Sequence, residues 1–198
     1  KAKESDVRFS IAVGELYLSG GADHDVLISG NAGLPKEMDL DTDYVAPKNG
    51  KSELTIKGND VVILPVHSTT SPWEFDLNSD IPINLNTEVG IGDMRINLTD
   101  THVAEFNSEM GIGLTVLTLP EDVDIDAHVS GAIGQLVIRV PENSQVVVKT
   151  DNAIVNIDLP AGYTRSGDTI RSPEGESGAN EINLDVELAI GSLIIQDF

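Results

Sequence analysis

Hydrophobic and polar residues alternate along much of this chain, and the alternation repeats. The segments Gly90-Ile91-Gly92, Gly111-Ile112-Gly113, Ala132-Ile133-Gly134 and Ala153-Ile154-Val155 each begin 21 residues after the last. Stacking the sequence at that period gives apolar columns. They are Ile91, Ile112, Ile133 and Ile154; Ile96, Leu117, Ile138 and Leu159; Met94, Thr115, Leu136 and Ile157; Ile83, Ala104, Ile125 and Val146; and Leu85, Phe106, Ala127 and Val148. Within one unit these columns lie two residues apart, the period of a β-strand whose alternate side chains share a face. The columns between them are polar, as in Glu88, Glu109, Ser130 and Asp151. The pattern predicts that every apolar column, the isoleucine column included, faces a core. An aspartate at Ile112 or Ile133 would then bury an unpaired charge and cost several kcal/mol.

The phase of alternation slips by one at Gly92, Gly113 and Gly134, which predicts corners where the backbone adopts a conformation other residues resist. The fourth unit carries Val155 there, so its corner should differ. Pro120-Glu121-Asp122 and Pro141-Glu142-Asn143 close two of the units as turns. The pattern recurs from Ile182 to Ile195 and, upstream, from Val7 to Leu18. This predicts one domain over residues 1–198. Residues 1–80 form irregular first coils, with an insertion at 35–52, and Val26–Leu34 and Leu54–Leu64 are the less regular units. Residues 81–162 form regular coils of about 21 residues, 163–179 a projecting loop, and 180–198 a final coil or cap.

A unit this short cannot cover both of its faces, but stacked units can. The predicted fold is all-β: a right-handed parallel β-solenoid, or single-stranded β-helix, the hand following the usual crossover chirality. A β-sandwich also has short strands, but it gives no reason for a register kept over four units.

Composition narrows the function more than the fold. The chain has 198 residues with 33 acids against 12 bases, a net charge of −21, and no cysteine. That charge opposes binding to nucleic acid and to anionic lipid. The missing cysteine removes disulfides, thiolate metal sites and thiol nucleophiles. No apolar run is long enough to span a bilayer. The chain starts at Lys1 with no signal-like segment after it, as expected of a removed leader or an excised domain.

The run Trp73-Glu74-Phe75-Asp76-Leu77-Asn78-Ser79-Asp80-Ile81-Pro82-Ile83-Asn84-Leu85, the following Glu88-Val89-Gly90-Ile91-Gly92-Asp93-Met94-Arg95-Ile96-Asn97-Leu98, and the later Gly-Ile-Gly and Leu-Pro units resemble the toast-rack family. That family is also grouped as adhesin-like or LiaF-like C-terminal domains. The match is good from Ser71 to Phe198 and loose before it. The resemblance implies a right-handed β-helix displayed outside the cytoplasm, commonly attached to a membrane segment. Its relatives are linked to adhesion or to cell-envelope stress signalling. It supplies no catalytic residues to carry over.

The candidate chemistry is sparse. Asp39, Asp41 and Asp43, and Asp122, Asp124 and Asp126, place carboxylates at alternate positions, so each trio would share one strand face. Three carboxylates could contribute to a Ca²⁺ site, but neither run has the glycine and glutamate of an EF-hand, and a solvated strand face is the simpler reading. The histidines His24, His67, His102 and His128 share no column or helical spacing that suits zinc. Trp73 could be a sugar platform or a packing residue at the junction with the regular coils. Between residues 81 and 160 there are 12 acids and only three bases, Arg95, Arg139 and Lys149, a balance that would repel a polyanionic glycan. Paired carboxylates could still cleave a neutral glycan.

The expected function is therefore a non-enzymatic, extracytoplasmic surface-interaction, adhesion or envelope-stress-sensing module. The alternatives are a carbohydrate-active β-helix and a Ca²⁺-stabilised adhesin. No cofactor is expected. The partner would be a protein or cell-envelope component, and a homodimer is possible.

Overall fold

The computed structural model describes residues 2–34, 40–58, 71–173 and 180–198. Among these are twelve strands: β1 (Glu4–Ala22), β2 (Ile28–Ala32), β3 (Leu40–Lys48), β4 (Lys51–Gly58), β5 (Trp73–Asn78), β6 (Ile83–Asn97), β7 (Val103–Thr118), β8 (Ile125–Val140), β9 (Gln145–Asp158), β10 (Thr164–Ser166), β11 (Thr169–Arg171) and β12 (Glu181–Asp197). All twelve belong to one sheet, and no described residue is helical.

The long strands are bent, and the bend makes a core. In β6, Ile83, Leu85, Thr87 and Val89 point inward from one limb, and Met94 and Ile96 point inward from the other. One set has odd numbers and the other even. A strand that folds back over its own interior must change phase in this way, because side chains alternate along each limb. The limbs meet across the core, where the Ser108 hydroxyl of the first limb of β7 donates to the Met94 sulfur of the second limb of β6 at 3.8 Å. A short turn returns the chain to the start of the next strand, and Ile83 N donates to His102 O at 3.1 Å where the return is made. The result is a large, mostly parallel, solenoid-like sheet around one continuous apolar core.

The stack follows the repeat through β6, β7 and β8. Ile91 pairs with Ile112 and Ile112 with Ile133, and Gly92, Gly113 and Gly134 lie beside one another in the same ladder. β1 lies beside β6 with Val7 opposite Leu85 and Gly14 opposite Gly92. At Gly113, φ is 153° and a Cβ would come within 1.6 Å of the Gly92 carbonyl oxygen. Only glycine lets neighbouring corners stack this closely. Val155, paired with Gly191 at the end of this ladder, lacks the positive φ and packs partly against the core.

Several expectations are corrected. The segment 180–198 is not an end cap, because β12 lies inside the stack between β8 and β9. The repeat order fails there because β9 is displaced outward by one strand. Ala104 is exposed. The register shifts by one residue next to Ile83, so that Val103 takes the inward place. Val26–Leu34 is not a coil, since β2 runs antiparallel to β5. In Leu54–Leu64 the described part belongs to β4, which pairs with the first limb of β1, and residues 59–64 lie outside the described residues. The insertion contributes β3, antiparallel to β4. The projecting loop contains the β10–β11 hairpin, which pairs antiparallel with β9 at Val147–Lys149.

The largest correction concerns the isoleucine column. Ile91, Ile112, Ile133, Ile190 and Ile154 are 46% to 71% exposed. Each sits at the outside of the bend, between the two phases, so alternation no longer turns it inward. Ile112→Asp is now expected to cost less than about 1 kcal/mol, as at other surface positions. A thermal melt that fell by more than a few degrees would contradict this placement.

Candidate interaction surface

The bends line up as a ridge along one edge of the stack. Val13, Ile91, Ile112, Ile133, Ile190 and Ile154 occupy successive rungs in that order. At about 4.8 Å per rung the ridge is roughly 24 Å long. β-branched side chains suit such a ladder, since each packs against the next while its outer half meets solvent. Beside it on the first limb runs the polar column Ser10, Glu88, Glu109, Ser130, Glu187 and Asp151, so the apolar line is bordered by carboxylates. The Arg8 guanidinium meets Glu88 at 3.5 Å, and the Ser10 hydroxyl donates to the same carboxylate at 3.2 Å.

The outer face of the first limb is largely polar, whereas that of the second limb carries a half-buried aliphatic row, Val116, Val137 and Ile194, on adjacent rungs. On the first limb a shallow concavity of about 440 Å³ is bordered by Glu105, Asp126, His128, Lys149 and Asp185. His128 Nδ1 lies 3.9 Å from Asp185. Nearer the start of the stack, Lys51 bridges Glu4 at 3.1 Å and Asp6 at 2.9 Å, and hydrogen bonding to Asp6 and then Glu4 raises its pKa above the ordinary lysine value. On the second limb the Arg95 guanidinium stacks over the Tyr17 ring at 4.9 Å and meets Asp93 at 3.5 Å. These are exposed pairs that fix local side-chain geometry and add little stability.

The aspartate runs do not assemble into one site. Asp39 lies outside the described residues, whereas Asp41 and Asp43 are exposed on β3, opposite Lys57 and Thr55. Asp122 sits in a turn, Asp124 accepts the Glu181 backbone N–H at 2.9 Å, and Asp126 opens the exposed face of β8. Among the described residues no three His, Asp or Glu side chains converge on a point. His24 is on the surface against Asp80, whose hydrogen bond raises the imidazole pKa above its usual value. His102 is an exposed turn residue, and His67 lies outside the described residues. Trp73 is buried and meets Phe75 edge-on at 6.5 Å, with Phe75 against Phe9 at 5.2 Å, so it packs the junction. The ridge was the surface feature that the sequence pattern misplaced. A signal for it was present, because Ile91 lies between two glycines where the odd and even phases meet.

These features define the class of protein: a parallel, solenoid-like β-stack with an exposed apolar ridge along its bends. Residues 1–139 match the family described as N-terminal domain of toast_rack, DUF2154, and the chain belongs to that family. The match includes the irregular first third, where the resemblance had been loosest. No curated protein matches the chain. Among solved structures, a "putative cell adhesion protein" from Clostridium sporogenes ATCC 15579 aligns with a TM-score of 0.77 at 18% identity, over 100% of this chain and 94% of that one. A "putative adhesin" from Bacteroides fragilis NCTC 9343 aligns with a TM-score of only 0.29 at 8% identity, over 98% of this chain and 92% of that one.

Proposed function

We propose that the chain is a single non-catalytic domain displayed outside the cytoplasm, a right-handed solenoid with coils of about 21 residues. It uses its rigid surface to contact a protein or another component of the cell envelope, in adhesion or envelope-stress sensing. The observation that carries this reading is the exposed isoleucine ridge. An apolar line held at fixed spacing on an otherwise acidic protein is costly to leave in water and suits a contact surface. Family membership and the fold shared with a protein described as adhesive support the same reading.

Two measurements test it. With the full-length protein in its native host, protease added to intact cells should remove the domain. Survival of the domain until the cells are lysed would overturn the external placement. The purified domain should bind intact cells, and an Ile112→Lys/Ile133→Lys variant with an unchanged melting temperature should bind at least tenfold more weakly. Equal binding by that variant would remove the ridge from the function.

A further inference from the structure

The stack has four sheet ends, one for each limb at each end, and they are not finished alike. The first limb of β1 is covered by β4 and then β3, and its second limb by β5 and then β2. At the far end, the first limb of β9 is covered by β11 and then β10. Each of these three ends carries two extra strands. The fourth end, the second limb of β9 from Ile154 to Asp158, pairs with β12 on one side and with no described strand on the other.

That end is unfinished in its packing as well as its hydrogen bonding. Leu136 and Leu193 fill the inward column and are 4% and 0% exposed, and Ile138 and Ile195 in the next column are equally buried. The corresponding Ile157 on β9 and Leu159 just after it, with Val155, are only partly buried. The end therefore combines a half-covered apolar rung with backbone groups that no described residue pairs, beside a ledge two strands deep formed by β11 and β10. An extended segment could pair with β9 and cover the rung. The charge here selects among segments: Asp158 is exposed and has no ionic partner among the described residues, while residues 59–198 hold 23 acids and five bases.

We propose that the free edge of β9 at Ile154–Asp158 is a strand-addition site for an extended segment of a partner protein, with aliphatic side chains toward Val155 and Ile157 and a lysine or arginine toward Asp158. A second copy of this chain does not fit. Twofold pairing of two such edges would drive both β11–β10 ledges into one space, and each copy carries a charge of −21. The site does not depend on which compartment the domain occupies, so its failure and that of the functional reading are separable.

The test is backbone hydrogen exchange followed by NMR, with acetylated Lys-Val-Lys-Val-Lys-Val-Lys amide as the probe. Its Glu-Val counterpart and a version with the central valine replaced by proline serve as controls. Amides within residues 154–158 should slow at least tenfold at saturation with the lysine peptide and not with either control. In an Asp158→Lys variant the preference should shift to the glutamate peptide. The proposal is overturned if the lysine peptide does not bind at millimolar concentration, if it slows exchange elsewhere but not at these residues, or if the proline version binds equally well. Protection of the same amides in peptide-free protein that light scattering shows to be a dimer would also overturn it, in favour of self-association.

Discussion

Gly113→Ala is expected to destabilise the domain by at least about 3 kcal/mol, a fall in Tm of about 10 °C for a chain of this size. Two costs combine at this position. An L side chain resists a φ of 153°, and the new Cβ would lie 1.6 Å from the Gly92 carbonyl oxygen. Rotamer changes cannot relieve a clash with backbone, and the backbone cannot shift easily because β7 is hydrogen-bonded to β6 on one side and β8 on the other. Gly21 provides the control. Its φ is 120°, but an added Cβ there would meet nothing within 4 Å. Gly21→Ala should therefore show only the conformational cost, about 1 kcal/mol. Thermal or urea unfolding of the two variants separates crowding from strain, and equal losses would mean that the corner ladder is not tightly stacked.

Phe106→Ala should cost about 3 to 5 kcal/mol. Phe106 is 1% exposed on the first limb of β7, between Leu85 on β6 and Ala127 on β8. Its neighbour Ala127 has too small a side chain to fill the space the ring would vacate, so truncation should create a cavity between rungs held by the ladders on either side. A Cm in urea that dropped with little change in m would fit a local cavity in an otherwise intact fold. A loss below about 1 kcal/mol would show that the neighbouring coils collapse into the space, contrary to the close packing expected of this core.

The repeat was legible because stacking writes the same physical demand at each rung. Leu85 and Phe106, or Ile96, Leu117 and Ile138, face the same interior and are apolar for the same reason. The corner glycines were legible for a related reason, since each must admit the carbonyl of its neighbour. The orientation of Ile91, Ile112, Ile133 and Ile154 was not. A column of isoleucines has the same composition whether it lines a core or stacks along an outer bend, and only the geometry of the bend distinguishes the two. The spatial order was hidden as well. Ile182–Ile195 matches the repeat, but a matching pattern states which rung a strand can occupy without stating which neighbours it has. The ends of the stack depend on antiparallel strands outside the repeat, and β2, β3, β10 and β11 carry little alternation of their own.

The interior position of β12 also sets an order in time. Strands β6, β7 and β8 can stack as they leave the ribosome, because each finds its neighbour already made. β9 cannot follow them, because its place next to β12 requires a strand that is still unsynthesised. The fourth coil must wait, with its apolar columns uncovered, until β12 emerges and takes its place between β8 and β9. β12 therefore enters between two neighbours that are both made before it. A chain cut short before Glu181 exposes the edges of β8 and β9 that β12 otherwise covers, and the vacant slot between them would accept β12 from a neighbouring copy, a route to strand-exchanged pairs.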